Sequence, residues 1–160
     1  MRAYCDGASY LNKGGCGIVF YQDRQIFHTL CKSISPATCN IAELRAILFA
    51  IEWALQYKVD SLSIFTDSLL SVNFILKKWK CRKDHLIPIV QEIREKALRL
   101  SFFEISWISR DYNKEADRLS KKALRKLLSS SEQVMLFASY FEIQSTSPKR
   151  KKEKKENANS

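Results

Sequence analysis

The stretch NIAELRAILFAIEWALQY at residues 40–57, followed by LSIFTD at 62–67, contains a helix pattern and then a strand pattern. In the first segment Leu44, Leu48, Ile51 and Leu55 recur at three- and four-residue spacing, which predicts one apolar helix face. The second segment is a short apolar run that ends on an acid. A helix that leads into a buried strand is typical of the crossover units of an α/β fold.

The residues before this unit predict three strands. RAYCD at 2–6 is the first, and a Gly-rich turn around Gly14, Gly15 and Gly17 leads into GIVFY at 17–21 and QIFHTLC at 25–31. We therefore expect an antiparallel meander in front of the first helix.

The residues after the unit predict three helices and a fifth strand. SLLSVNFILKKW at 68–79 and HLIPIVQEIREKAL at 85–98 have helix patterns, FFEISWIS at 102–109 has a strand pattern, and NKEADRLSKKALRKLL at 113–128 is a strong closing helix. We expect one folded domain over 1–128, an extension over 129–144 that forms a strand or a short helix, and a disordered basic tail over 145–160.

Length and charge narrow the class of partner. A chain of 160 residues has room for one domain with a sizeable core. The formal charge is +10, and the last twelve residues, KRKKEKKENANS, carry six basic and two acidic groups, or +4, which leaves +6 for the rest. A basic domain favours polyanions, because Lys and Arg that neutralise phosphates release condensed counterions.

The cysteines and the hydropathy pattern bear on location. Five scattered cysteines form neither a CxxC pair nor a zinc-binding spacing, which favours a reducing compartment. No apolar run approaches the roughly 20 residues needed to span a bilayer. We expect an intracellular, cytoplasmic protein that does not bind a membrane, with a nuclear location as the alternative in a eukaryotic host.

Four acids stand at element boundaries. Asp6 is expected to end the first strand and Asp67 the fourth, while Glu43 opens the first helix and Asp117 lies near the start of the last one. Taken singly, such acids are usually caps or solvated residues. If the two strands are neighbours, however, the acids meet at one sheet edge and repel one another unless cations are present. Oxygen ligands suit Mg²⁺ or Mn²⁺, and two ions about 3.5–4 Å apart can hydrolyse a phosphodiester.

The segments around these acids resemble a known family. YCDGAS at 4–9, TCNIAELRA at 38–46, FTDS at 65–68 and NKEAD at 113–117 are similar to the four motifs of type 1 ribonuclease H, in the family's order. The resemblance covers roughly residues 1–128 and implies a ribonuclease H-like α/β fold with a five-stranded mixed sheet of order 3-2-1-4-5 and helices on both faces.

The resemblance also implies an activity. Asp6, Glu43, Asp67 and Asp117 would be the metal-binding catalytic set of an endonuclease that cuts the RNA strand of RNA/DNA hybrids. The implied mechanism uses two metal ions and leaves 5′-phosphate and 3′-hydroxyl ends.

Further residues are candidates for substrate contact. By resemblance, Asn40 matches an asparagine that contacts the minor groove and RNA sugars, Thr38 a residue that grips a DNA-strand phosphate, and Asn12 another strand-contacting asparagine. Ser68 of the third motif is a further candidate. Asn113 shares a helix face with Asp117 at i, i+4, so it is expected either to orient that carboxylate or a substrate phosphate, or to be a helix N-cap.

A basic segment, KKWKCRK at 77–83, interleaves cations with one aromatic residue. It resembles a shortened form of the family's basic protrusion, so Lys80, Arg82 and Lys83 are candidates for phosphate contact, with a solvated surface as the alternative.

The chain also departs from the family pattern at two places. Cys39 stands where many relatives have a second asparagine, and a thiol is a weak hydrogen-bond donor. The segment SRDYN at 109–113 lacks the His-bearing loop that many relatives have and resembles the compact branch of the family. His85 is a candidate substitute for the missing histidine.

Two other functions remain open. A DNA-cutting nuclease of the same fold, such as a resolvase or transposase-like enzyme, would share the acids, but Thr38 and Asn40 argue against it. A catalytically silent module that binds hybrids or RNA would not need all four acids. We expect a monomer, either standing alone or forming part of a larger replication or reverse-transcription system.

Overall fold

The computed structural model describes residues 1–146, with side chains up to residue 143. The chain divides into two compact units, Met1–Leu128 and Ser129–Ser160. The first unit holds every residue singled out by the sequence analysis except the C-terminal extension and tail.

Five strands form one mixed sheet in the order β3-β2-β1-β4-β5. The strands are β1 Arg2–Tyr10, β2 Lys13–Gln22, β3 Gln25–Ile34, β4 Ser61–Thr66 and β5 Phe102–Trp107. β1, β2 and β3 pair antiparallel as a meander, whereas β4 pairs parallel with both β1 and β5. The predicted sheet order and the mixed sheet are confirmed.

Four helices and one 3₁₀ turn complete the first unit. They are α1 Cys39–Gln56, α2 Leu69–Ile75, α3 Ile87–Ala97, the 3₁₀ turn Arg110–Tyr112, and α4 Lys114–Arg125. α2 is shorter than predicted because Lys77 adopts a left-handed φ of 60°, which ends the helix. The Arg94 guanidinium then donates to the carbonyl oxygens of Phe74 and Ile75 and satisfies that helix end.

The prediction of a Gly-rich turn around Gly14, Gly15 and Gly17 was wrong. All three lie inside β2, and the β1–β2 turn is formed by Leu11 and Asn12, with left-handed φ values of 48° and 59°. The reason is helix packing: a Cβ on Gly15 would stand 2.0 Å from the Ser120 carbonyl oxygen, and one on Gly17 would stand 2.2 Å from that of Ala116. Glycine therefore lets α4 lie directly against β2.

Helices cover both faces of the sheet. The main core lies between the sheet and α1, and α3 packs on α1 beyond it. Its largest fully buried side chains include Ile18, Phe20, Leu44, Ile47, Leu48, Ile51, Leu62, Ile64 and Ile93. On the other face, Ala116 and Leu119 of α4 pack against Val19 of β2. Burial of this apolar surface on both sides holds α1 and α4, which carry two of the four acids, against β1.

The second unit is described as one helix, α5 Ser130–Thr146. Sequence reasoning left strand and short helix open for 129–144, and the segment is a helix of 17 residues. It includes residues 145 and 146, which the sequence analysis placed in a disordered tail. The rest of the predicted tail, 147–160, lies outside the described residues. Among residues 1–146, no helix is both long enough and apolar enough to cross a bilayer.

Candidate metal centre

Three carboxylates meet at one end of the parallel part of the sheet. One oxygen each from Asp6, Glu43 and Asp67 lies within 4.8 Å of the other two. Asp67 directly follows β4, one residue beyond the strand that it was expected to end. Asp6 does not end its strand, since β1 continues to Tyr10, but the pairing of β1 with β4 stops at Cys5 and Thr66. Asp6 and Asp67 are therefore the residues that immediately follow the last paired positions of β1 and β4.

Glu43 approaches the aspartates from the second turn of α1. A Cβ on Gly7 would stand 2.2 Å from the Glu43 backbone nitrogen, so a residue without a side chain lets α1 pack this closely on β1. The Gly7 backbone N–H bonds to the Glu43 carboxylate, whose Oε2 is buried and has no partner among the described residues. This orphaned oxygen is an acceptor without a donor.

Burial and mutual repulsion shift the acids toward protonation. Burial raises the pKa of Asp6 from 3.8 to about 7; the Ser120 hydrogen bond opposes this, while the charges of Asp67 and Asp117 add to it. Burial likewise raises the pKa of Glu43 well above its ordinary value, and Asp6 and Asp67 raise it further. A cluster of this kind is most stable when a cation offsets its charge.

Asp117, the fourth predicted acid, is not in the group of three found among residues 1–146. It lies in the first turns of α4, where Lys121 Nζ is 2.7 Å from its Oδ2. Its Oδ1 is 3.8 Å from Arg110 Nη2, and Arg110 Nε is 3.7 Å from Asp67 Oδ2. The Arg110 guanidinium thus lies between the fourth acid and the three-carboxylate cluster.

Asn113 has different partners from those predicted. It occupies the N-cap position of α4, but its side chain makes no capping bond. Its Nδ2 donates instead to the Cys5 carbonyl oxygen at 2.9 Å and to Asp67 Oδ1 at 3.2 Å. The predicted orienting of Asp117 was therefore wrong, because the tertiary fold brings Asp67 within reach of the amide.

Sequence reasoning missed two residues of the centre. Ser120 Oγ is 2.5 Å from Asp6 Oδ2, to which it donates, and 2.8 Å from the Asp117 carbonyl oxygen. Ser120 lies three residues after Asp117 and therefore on the same helix face, and this spacing could have identified it from the sequence. Arg110 lies within the SRDYN segment, which the sequence marked only as lacking the His-bearing loop.

The predicted substrate residues lie on exposed or half-buried turns and helix starts. Asn12 is in the β1–β2 turn, and its carbonyl oxygen accepts from the Ala37 N–H at 3.0 Å, which brings this turn next to Thr38. Thr38 caps α1, Asn40 lies in its first turn, and Ser68 caps α2. The predicted phosphate contacts, Lys80, Arg82 and Lys83, are exposed between α2 and α3, as is His85. Their roles stay predictions.

The chemistry of this centre fits a hard divalent cation. The clustered donors are all carboxylate oxygens, which Mg²⁺ and Mn²⁺ prefer. Among the buried side chains that the structure describes, up to residue 143, only Glu43 Oε2 and Asn113 Oδ1 lack a hydrogen-bond partner, and both belong to this centre. Buried acceptors without donors are costly, so a ligand that satisfies them is favoured here.

Comparison with known proteins agrees with this geometry. Residues 5–123 match the reverse transcriptase-like family. A bifunctional protein of Mycobacterium tuberculosis is 27% identical over 123 residues, which are 74% of this chain and 34% of that protein. The chain thus spans about a third of that relative's length. The protein EbsB of Enterococcus faecalis is 27% identical over 132 residues, covering 79% of this chain and 95% of that one.

Solved structures share the fold. The ribonuclease H1 of the halophilic archaeon Halobacterium salinarum has a TM-score of 0.72 at 29% identity and covers 78% of this chain and 97% of its own. The LC11 ribonuclease H1, solved in complex with an RNA/DNA hybrid, has a TM-score of 0.73 at 26% identity and covers 80% and 99%. With this sheet order and these motifs, the chain belongs to the reverse transcriptase-like family and has the fold of the type 1 ribonucleases H.

Proposed function

We propose that this protein is a metal-dependent endonuclease that hydrolyses the RNA strand of RNA/DNA hybrids. The observation that carries the proposal is the cluster of Asp6, Glu43 and Asp67, whose oxygens lie within 4.8 Å of one another, with the buried Glu43 Oε2 left without a partner. Clustered carboxylates of this kind suit phosphodiester hydrolysis without a protein nucleophile.

Asp6, Glu43 and Asp67 would hold the divalent cations, two in number, with Asp117 as the fourth acid. When bound, such cations activate a water and stabilise the leaving oxygen of a phosphodiester. Ser120 holds one oxygen of Asp6, and Asn113 holds one oxygen of Asp67. The protein therefore supplies carboxylates whose positions are set before substrate arrives, and hydrolysis would leave 5′-phosphate and 3′-hydroxyl ends.

Substrate choice would depend on the turns around the centre. Asn12, Thr38 and Asn40 carry short polar side chains, which suit hydrogen bonds to 2′-hydroxyls and to phosphates in a shallow groove. The exposed cations Lys80, Arg82 and Lys83 would add phosphate contacts from the segment between α2 and α3. The hybrid-bound LC11 relative supports this choice of substrate.

The test is cleavage of end-labelled RNA/DNA, RNA/RNA and DNA/DNA duplexes with Mg²⁺ and with EDTA. We expect hybrids to be cut in Mg²⁺, duplex DNA to be cut far more slowly, and EDTA to stop the reaction. Ligation of the products after hybrid cleavage would report 5′-phosphate and 3′-hydroxyl ends. Equal rates on hybrid and duplex DNA would favour a DNA-cutting nuclease, while tight hybrid binding without cleavage would favour a silent module.

We also propose that the enzyme works as a monomer in a reducing, intracellular compartment. All five cysteines are free thiols, and Cys5 and Cys16 are buried, which is consistent with a chain that does not depend on disulfides. Light scattering of the purified protein at assay concentration would test the monomeric state.

A further inference from the structure

Asn113 lies at the junction of the three elements that carry the acids Asp6, Asp67 and Asp117. It is only 1% exposed, follows the 3₁₀ turn, and directly precedes α4. Its amide reaches back over 108 residues to the backbone of β1 at Cys5 and also reaches the side chain of Asp67 after β4. One side chain thus ties the start of α4 to β1 and to the residue that follows β4.

The direction of the amide is set by its surroundings. Both neighbours of Nδ2 are acceptors, a carbonyl oxygen at 2.9 Å and a carboxylate oxygen at 3.2 Å. A flipped amide would face both with its own oxygen and lose both hydrogen bonds. The Asp67 carboxylate is therefore held by one oxygen in a fixed orientation relative to β1.

The other end of the amide is unsatisfied. Asn113 Oδ1 is buried and has no partner among the side chains described up to residue 143 or the described backbone, and the second such atom, Glu43 Oε2, belongs to the same centre. A buried acceptor without a protein donor is usually satisfied by an ordered water or by a ligand. Water molecules on a hydrated divalent cation are donors, and Mg²⁺ in proteins usually keeps several of them.

We propose that Asn113 is a positioning residue of the metal centre: its Nδ2 fixes the Asp67 carboxylate, and its Oδ1 accepts a hydrogen bond from cation-bound water. This inference rests on the proposed function. It predicts that Asn113 governs cation affinity and cleavage, whereas an N-cap role predicts an effect on helix stability alone.

The experiment measures Mg²⁺ binding to the folded protein by calorimetry, beside hybrid cleavage over a range of Mg²⁺ concentrations. Partners of metal ligands typically contribute 10–100-fold to metal affinity, so we expect Asn113→Ala to weaken Mg²⁺ binding by about 10–100-fold. High Mg²⁺ should recover part of the lost cleavage, and KM for the hybrid should stay at the wild-type value. Unchanged Mg²⁺ affinity in this variant would overturn the proposal.

Two further variants separate positioning from capping and from a general loss of stability. Asp caps helices as well as Asn does but has no side-chain donor, so Asn113→Asp should lose cleavage if Asn113 positions Asp67. Full activity in Asn113→Asp would show that the Nδ2 donor to Asp67 is not needed, and would refute the positioning role. Ser33→Ala removes another hydrogen bond to α4, from Ser33 Oγ to the Ala123 carbonyl oxygen, and should lower Tm without changing Mg²⁺ affinity.

A measurement on the unmutated protein keeps the test independent of variant folding. The Asn113 side-chain NH₂ resonances should shift when Mg²⁺ is added, and a titration that leaves them unmoved would refute the proposed water contact. A wild-type protein that neither binds Mg²⁺ nor cuts hybrids would instead refute the proposed function. Wild-type cleavage together with normal Mg²⁺ binding in Asn113→Ala would refute only the role of Asn113.

Discussion

Gly15 lies against Ser120 so closely that a Cβ on the glycine would stand 2.0 Å from the serine carbonyl oxygen. The contact joins β2 to the helix that carries Asp117, and the opposing atom belongs to the backbone, which cannot rotate away. We predict that Gly15→Ala destabilises the domain by about 3 kcal/mol or more, at the upper end of typical overpacking costs. Urea unfolding would measure this, and the exposed Thr29→Ala should change stability by less than about 0.5 kcal/mol.

Asp67→Asn should nearly abolish cleavage while leaving the fold intact. The variant keeps the shape of the side chain but removes a charge from the three-carboxylate cluster. Loss of several kcal/mol of charge stabilisation corresponds to a rate reduction on the order of 100–1,000-fold. Circular dichroism would verify folding. Wild-type turnover of this variant at saturating Mg²⁺ would contradict the assignment of the centre.

Arg110→Ala should slow cleavage with little effect on stability. The guanidinium side chain is 75% exposed, and its ion pairs with Asp67 and Asp117 are long, at 3.7 and 3.8 Å, so they contribute less than about 1 kcal/mol to folding. Its charge nevertheless lies between the acids, and we expect a rate reduction of about tenfold, or about 1.4 kcal/mol.

The matched control for Arg110→Ala is Arg118→Ala. Arg118 lies on α4 and forms another exposed ion pair, in which its Nε is 3.0 Å from Glu115 Oε2. Arg110→Lys should keep part of the rate because it keeps the charge. Equal rates for Arg110→Ala and Arg118→Ala would show that the position of Arg110 between the acids has no effect on cleavage.

The metal-free protein should lose stability as pH rises toward neutrality. The pKa of Asp6 is raised from 3.8 to about 7 by burial and by Asp67 and Asp117, against the Ser120 hydrogen bond. A folded-state pKa above the unfolded value makes protonation stabilising, so this contribution is present below about 3.8 and is lost as pH rises through about 7. The pKa of Glu43 is also raised, so Glu43 adds to the same loss of stability with rising pH.

Thermal unfolding in EDTA between about pH 5 and pH 8 would measure this loss. Asp6→Asn should flatten the profile, because it removes the buried carboxyl whose pKa is raised. Added Mg²⁺ should raise Tm most at the alkaline end. A Tm in EDTA that rises over this range would contradict the effect assigned to the buried acids.

Truncation after Ser147 should spare cleavage chemistry but weaken hybrid binding at low salt. The last twelve residues carry six basic groups and two acidic groups. Each cation that reaches a duplex phosphate adds about 0.9 to the slope of log affinity against log salt, so removal of the tail should flatten that slope. Identical slopes for full-length and truncated protein would rule out a direct contact and leave a targeting role as the explanation.

Much of the fold followed from local patterns. The apolar stripe of Leu44, Leu48 and Ile51 predicted α1, the run ending at Asp67 predicted β4, and both are present. These patterns reflect side-chain periodicity, which the sequence contains in full. The motif order around the four acids likewise identified the family, and with it the sheet order.

The partners of the buried polar groups were decided by the tertiary structure. Asn113 binds Cys5 and Asp67 rather than its helical neighbour Asp117, and Ser120 binds Asp6 across 114 residues. Glycines with turn-like spacing proved to be contact points for α4. Sequence spacing shows which residues are neighbours along one helix or strand, but these contacts join residues that lie 46 to 114 positions apart in the chain. These contacts depend on how the core packs α1 and α4 onto β1 and β2. Only that packing sets the distances between side chains that are far apart in the sequence.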